Sequence, residues 1–214
     1  MYLFLGESGS GKTTAANTLA ALLKTKLGKV IVYHPFDLGK RFLENVYGLQ
    51  SGDLDKAEVK ERLLMDLEGH PLVWGDGRIP SYSELMVEEF FFRQKVDPYF
   101  SSRCIKAFLK DLQLEVIAGI TEVLFHGVRK PEELKVILDF CKNNSERLTV
   151  IKLSRKTSKA KESDKYLVDL VEMLVNEGIT VHSLINDDDM DDLKDKLSKL
   201  FPYIYLSDLY NNHI

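Results

Sequence analysis

An α/β fold built on a five-stranded parallel sheet is predicted by two features of this sequence. Five apolar runs alternate with segments of helical period, as strands joined by crossover helices must. The first run leads into a glycine-rich turn, a helical segment and then the second run, so a βαβ unit opens the chain.

Tyr2-Leu3-Phe4-Leu5 is apolar without alternation, the pattern of a strand buried on both faces. Ala15, Ala16, Leu19, Ala20, Leu22, Leu23 and Leu27 then repeat at helical spacing, and Gly28 supplies the stop. Val30-Ile31-Val32-Tyr33 is the second strand. From 36 to 118 the pattern is all helical, which makes this stretch a helical insert between strands two and three. Within it Leu38, Phe42 and Val46 lie four apart before Gly48, and Val59, Leu63 and Leu67 lie four apart before Gly69. Ser81-Tyr82-Ser83-Glu84 has the form of a capping box, and Asp97-Pro98 reads as an N-cap followed by proline at the first helical position. Val123-Leu124-Phe125-His126 is the third strand, followed by a helix that Pro131 opens. Leu148 to Leu153 is the fourth strand, followed by a helix from Ser163 to Glu177 that Gly178 stops. Ile179 to Leu184 is the fifth, and the last helix runs from Met190 to Leu200. No repeat, low-complexity tract or linker interrupts residues 1–214, which read as one domain with an aromatic, unassigned tail after Pro202.

Composition narrows the function classes. Hydrophobic residues make up 44% and charged residues 29% of the 214, which supports a full core and excludes global disorder. The 29 basic and 33 acidic residues leave a net charge of −4, so no overall positive field holds a polyanion, and dedicated nucleic-acid binding is not expected. No apolar run reaches the roughly 18 residues of a membrane span, and the start lacks the basic and apolar regions of a signal peptide. Cys104 and Cys141 are too few for a disulfide framework and have no zinc-site spacing, so a cytoplasmic protein with reduced thiols is expected. The oligomeric state, monomer or homodimer, is left open.

The chemistry is concentrated in Gly6-Glu7-Ser8-Gly9-Ser10-Gly11-Lys12-Thr13, which fits G-x-x-x-x-G-K-[ST] and lies between a strand and a helix as that mechanism requires. Gly6, Gly9 and Gly11 let the backbone wrap a phosphate, so that the amides of Ser8 to Thr14 and the helix N-terminus point at the anion. Lys12 adds a movable positive charge, and the Thr13 hydroxyl can ligate magnesium.

Phosphoryl transfer also needs groups that hold an acceptor and neutralise the moving charge. Asp37, Lys40 and Arg41 lie just past the second strand, at the carboxyl edge where open α/β sheets bind ligands, although a helix start with solvated charges reads the same way. Arg129 follows the third strand on the insert side of the sheet, and it either forks onto a phosphate as an acceptor-side ligand or lies on the surface before Pro131. Arg78, in the Gly75-Asp76-Gly77-Arg78 turn, is a further ligand candidate. Arg155, Lys156, Lys159, Lys161 and Lys165 fall in a segment without apolar period, 154–165, which reads as a basic lid over the phosphates or as a solvated loop; Arg155 is its catalytic candidate. The acidic run Asp187-Asp188-Asp189 with Asp191-Asp192 reads as helix capping rather than a metal site. The five histidines show no partner spacing, and of them only His126, at the end of the third strand, is placed near the site, where a satisfied structural histidine reads the same way.

Several segments carry a likeness beyond this loop: Phe36 to Leu43 with Val46-Tyr47-Gly48-Leu49, Val96-Asp97-Pro98-Tyr99-Phe100, Leu124 to Glu133, and Ile185-Asn186-Asp187-Asp188 before Leu193. In these the sequence resembles the P-loop kinases of nucleoside monophosphates, most closely the phage-type deoxynucleoside monophosphate kinases. The resemblance implies a three-layer P-loop NTPase, nucleotide kinase-like fold with strand order 2-3-1-4-5, for which the motif Gly6–Thr13 is the anchor. It also implies ATP with Mg2+ as donor, and a monophosphate acceptor held by the insert and a basic lid. The family carries an aspartate where this chain has Gly127. Asp37, at the end of the neighbouring strand, is the candidate to take over the outer-shell role on magnesium.

Two other readings stay open. One is a P-loop binding protein or regulatory ATPase with weakened catalysis, which Gly127 favours; the other is a small-molecule kinase with a different acceptor. GTPases and transport ATPases are disfavoured, since neither an Asn-Lys-x-Asp nor a Leu-Ser-Gly-Gly motif occurs.

Overall fold

The computed structural model describes residues 1–24, 29–66, 68–158, 164–187 and 189–200. The chain divides into two compact units, one formed by Met1–His34 with Ile105–Ile214 and the other by Pro35–Cys104.

The first unit holds five parallel strands: β1 (Tyr2–Gly6), β2 (Lys29–Tyr33), β3 (Thr121–His126), β4 (Thr149–Ser154) and β5 (Val181–Ile185). Their order is β2-β3-β1-β4-β5, the 2-3-1-4-5 order that the resemblance implies. In chain order the helices are α1 (Lys12–Lys24), α2 (Asp37–Val46), α3 (Ala57–Lys60), α4 (Tyr82–Val96), α5 (Phe100–Ile117), α6 (Pro131–Asn144), α7 (Leu167–Asn176) and α8 (Met190–Leu200). Among the described residues, no helix is long and apolar enough to cross a membrane.

Strand β1 is buried along its whole length and divides its side chains between two cores, as the period of two demands. Leu3 and Leu5 pack with Ile105, Leu109, Leu134 and Leu170, while Tyr2 and Phe4 pack with Ala16, Leu19, Leu193 and Leu197. The result is helix, sheet and helix layers, with the strand that feeds the glycine-rich loop in the middle of the sheet. Strand β5 is an edge strand: only Leu184 is buried, and the strand lies at 181–185 rather than at 179–184. Helix α7 begins at Leu167, not at 163, and Ser163 lies outside the described residues.

The expected all-helical stretch is corrected in two places. Val59 and Leu63 do not lie on one helix: α3 stops at Lys60, and Leu63 and Met65 form antiparallel bridges with Ser81 and Pro71. Leu67 lies outside the described residues. Further on, the Asp66 carboxylate accepts the amides of Glu68 (2.9 Å) and His70 (2.8 Å), a local competition for the backbone that disfavours a helix there. Helix α2 does form, but the stripe Leu38, Phe42 and Val46 is exposed, and Gly39, Lys40, Leu43 and Glu44 face inward. Gly39 lies against the Phe36 ring, where a Cβ would meet Cε2 at 2.2 Å. Glu44 is satisfied inside by the amides of Gly52 and Leu54, both at 2.9 Å. The capping box stands as read: Ser81 Oγ accepts from the Glu84 amide (3.2 Å), and Glu84 Oε2 accepts from the Ser81 amide (2.8 Å).

Candidate functional site

The glycine-rich loop runs from the last residue of β1, Gly6, to the first of α1, Lys12, so its amides lie at the carboxyl edge of the sheet and at a helix N-terminus. Gly6, Gly9 and Gly11 all adopt positive φ. At Gly11 the requirement is double, because φ is +89° and a Cβ would lie 2.2 Å from Asn186 Nδ2. Asn186 follows β5, is buried, and donates that nitrogen to the Ser10 carbonyl at 3.0 Å. Its own amide is given to the Ser154 carbonyl at 2.8 Å, so the end of β4 positions the residue that braces the loop.

Lys12 is buried and donates Nζ to the carbonyls of Gly6 (2.7 Å) and Glu7 (2.6 Å). Burial, followed by the neighbouring Arg129 charge, lowers its pKa from 10.5 to about 8, with Asp164 and Glu7 opposing. The near partners are uncharged carbonyls, so the ammonium is a buried cation that a phosphate would stabilise. Thr13 Oγ1 is hydrogen-bonded to His126 Nδ1 at 3.3 Å, and Thr14 is exposed.

Arg129 belongs to the same cluster. Its amide donates to Glu133 Oε2 at 2.7 Å, which ties it to the first turn of α6. Its guanidinium pairs with Asp164 and reaches Ser8 Oγ at 3.4 Å. Asp164 in turn accepts the Ser8 amide at 2.9 Å and the Ser8 hydroxyl at 3.3 Å. No sequence signal marked Asp164, since it stands with Glu162 as one of two acids inside a basic run.

The basic segment is only partly in this cluster. Ser158 donates its hydroxyl to Glu7 Oε2 at 2.9 Å, the Lys156 amide and ammonium both meet Asp187, and Arg155 is exposed. The Lys165 ammonium sits over the Tyr166 ring, and Lys159 and Lys161 lie outside the described residues. The acidic run caps as expected: Asp189 Oδ1 accepts the amides of Asp191 and Asp192, both at 3.0 Å, and Asp188 is outside the described residues.

Strand β3 ends at His126, and a bulky neighbour accounts for the glycine that follows it, Gly127. Gly127 has φ +77°, and a Cβ there would lie 2.2 Å from Cδ2 and Nε2 of His34. The His34 and His126 rings stand 5.0 Å apart between centroids. Two imidazoles thus meet at the carboxyl edge where β2 and β3 end.

The remaining candidates lie in the second unit. Lys40 is buried and bridges Asp37 (3.0 Å) and Asp55 (2.7 Å). Burial pulls its pKa down, but the two carboxylates outweigh it and hold the ammonium above its ordinary value. Arg41 is exposed. Arg78 is exposed as well, and its guanidinium binds Asp76 (2.7 Å) and Glu84 (3.1 Å) and covers the Trp74 ring, so it braces its own turn.

No protein-family model matches the chain, and no curated protein matches it. Solved structures similar to it include the APS kinase CysC of Mycobacterium tuberculosis in a mutant form, at 11% identity and a TM-score of 0.45 over 94% of this chain and 95% of that one. The same enzyme in complex with AMPPNP and APS gives 11% and 0.46 over 94% and 97%. The protein APE1195 gives 14% and 0.43 over 96% and 94%. At such low identity and TM-score these likenesses carry no argument, and the reading of the site rests on the chain's own residues.

Proposed function

We propose that the protein is an ATP-dependent phosphotransferase that moves a phosphoryl group to a (deoxy)nucleoside monophosphate. The observation that carries this reading is Lys12: a buried ammonium held by carbonyls at the start of α1, in a loop whose positive-φ glycines turn amides toward an anion. Those amides and Lys12 bind the donor's phosphates and stabilise charge as it develops on the group in transit. Thr13 would hold magnesium through its hydroxyl, a hard oxygen donor that suits this ion beside phosphate oxygens and water. The ion supplies charge neutralisation on the phosphates. Asp37 and Lys40, which the sequence suggests as acceptor-side groups, pair with each other, and with Asp55 on the same ammonium this favours a structural role for Lys40.

A second reading, a nucleotide-binding protein with weak turnover, is favoured by Gly127 packed on His34 in place of a strand-end carboxylate. ADP release from ATP and magnesium, followed with a panel of ribo- and deoxynucleoside monophosphates and with non-nucleotide hydroxyl acceptors, separates the readings. Stimulation by one or a few monophosphates is expected. Equal, slow release with every acceptor would replace the kinase with the binding protein, and stimulation only by another acceptor would replace the substrate class.

A further inference from the structure

Ser8 and Arg129 present three kinds of donor to one carboxylate. The Ser8 amide (2.9 Å), the Ser8 hydroxyl (3.3 Å) and the Arg129 guanidinium all converge on Asp164, whose side chain is 4% exposed. An amide of a phosphate-binding loop together with an arginine fork is the donor set that recognises phosphate oxygens, and a carboxylate satisfies it with two oxygens and one charge. Arg129 is the fixed member, since its amide is held by the buried Glu133. Asp164 precedes α7 by three residues, and the N-cap of that helix, Tyr166, makes no side-chain cap.

We propose that Ser8 and Arg129 form a subsite for the terminal phosphate of the donor nucleotide, and that Asp164 is its internal competitor, displaced when the phosphate binds. This rests on reading the glycine-rich loop as a phosphate site. It moves Arg129 from the acceptor side, where the sequence alone puts it, to the donor side. A phosphate and the Asp164 carboxylate cannot share the Ser8 amide, and two anions at hydrogen-bond distance would repel. The carboxylate therefore lowers the apparent affinity by the fraction of molecules in which it is latched, and it masks Arg129 until nucleotide arrives. Charge complementarity is kept in both states, because the guanidinium exchanges one anion for another.

The test is calorimetric titration with inorganic tripolyphosphate, which needs neither acceptor nor turnover, on the wild type, Asp164→Asn, Asp164→Ser and Arg129→Ala. Asp164→Asn and Asp164→Ser are expected to bind on the order of tenfold more tightly than the wild type. Arg129→Ala should bind more weakly, and adding Asp164→Asn to it should tighten binding by less than the same substitution does in the wild type, because only the Ser8 donors then remain for the carboxylate to contest. Hydrogen exchange on the wild type gives a readout that needs no variant: with tripolyphosphate the peptide carrying Asp164 should exchange faster while the glycine-rich loop exchanges more slowly. Equal or weaker binding by both Asp164 variants would overturn the proposal, because the carboxylate would then be positioning Arg129 for the ligand. Failure of every form to bind tripolyphosphate would overturn the subsite and the loop assignment together. Tighter binding by the Asp164 variants in a protein that no acceptor stimulates would uphold the competitor and reject only the kinase reading.

Discussion

Lys12 in the first unit and Lys40 in the second are both almost fully buried, at 9% and 7% exposure, yet they are satisfied in opposite ways. Lys12 gives its hydrogen bonds to two backbone carbonyls, and its pKa falls to about 8. Lys40 gives its own to two carboxylates, and its pKa rises. A buried cation short of counter-charge is costly unless something anionic joins it, whereas a cation between two carboxylates already has its partners. The difference sets a lysine short of counter-charge apart from one that is already neutralised, although both follow strand ends in the sequence.

The comparison breaks most sharply at Lys12. Lys12→Met should lower phosphoryl transfer by about 10²–10³, as loss of an electrostatic donor does. It should leave stability unharmed near neutral pH, because a base whose pKa is depressed on folding destabilises the fold below about 8 and ceases to do so as pH rises toward 10.5. Steady-state rates and urea unfolding at pH 7 and pH 10 check both halves, and a variant that unfolds easily at pH 7 contradicts the contrast.

Lys40→Met should act in the reverse sense, costing about 2 kcal/mol of stability by leaving Asp37 and Asp55 without their cation; the figure is held down because both carboxylates are partly solvated. The sign follows from a pKa raised on folding: the stabilisation is complete below 10.5 and lost only as pH climbs through the higher folded value. Urea midpoints between pH 6 and pH 9 should show a constant gap. Loss of acceptor affinity with unchanged midpoints would return Lys40 to the acceptor site.

Gly127→Asp tests whether the sheet edge that carries the loop tolerates a strand-end acid. Positive φ and the His34 ring predict a loss of about 1–2 kcal/mol, relieved in part by adding His34→Ala. A stable single variant with faster turnover would mean that the ring yields and that the acid was simply missing. The smallest expected effect concerns the thiols. Burial raises Cys141 to about 11, so at pH 8 only about a thousandth is thiolate, and it should react with a disulfide reagent more slowly than Cys104, which burial also raises. Prompt labelling of Cys141 in the folded protein would contradict its packing against Met1.

Features that depend on local pattern are legible in the residue order alone. Periodicity and the glycine-rich loop dictate the βαβ start, the five strands and the capping box at Ser81, because burial on two faces, helix propagation and loop conformation each need a particular residue order. Tertiary structure decided which face is inside when polar groups find partners. Helix α2 turns its apolar stripe outward because Lys40 and Glu44 are satisfied within, which no helical period reveals. It also decided which distant charges meet. Asp164 reaches Ser8 across 156 residues of sequence and Arg129 across 35, and Gly127 answers to His34, the residue after β2. Such pairings follow from strand order and side-chain packing, which exist only once the chain has closed on itself.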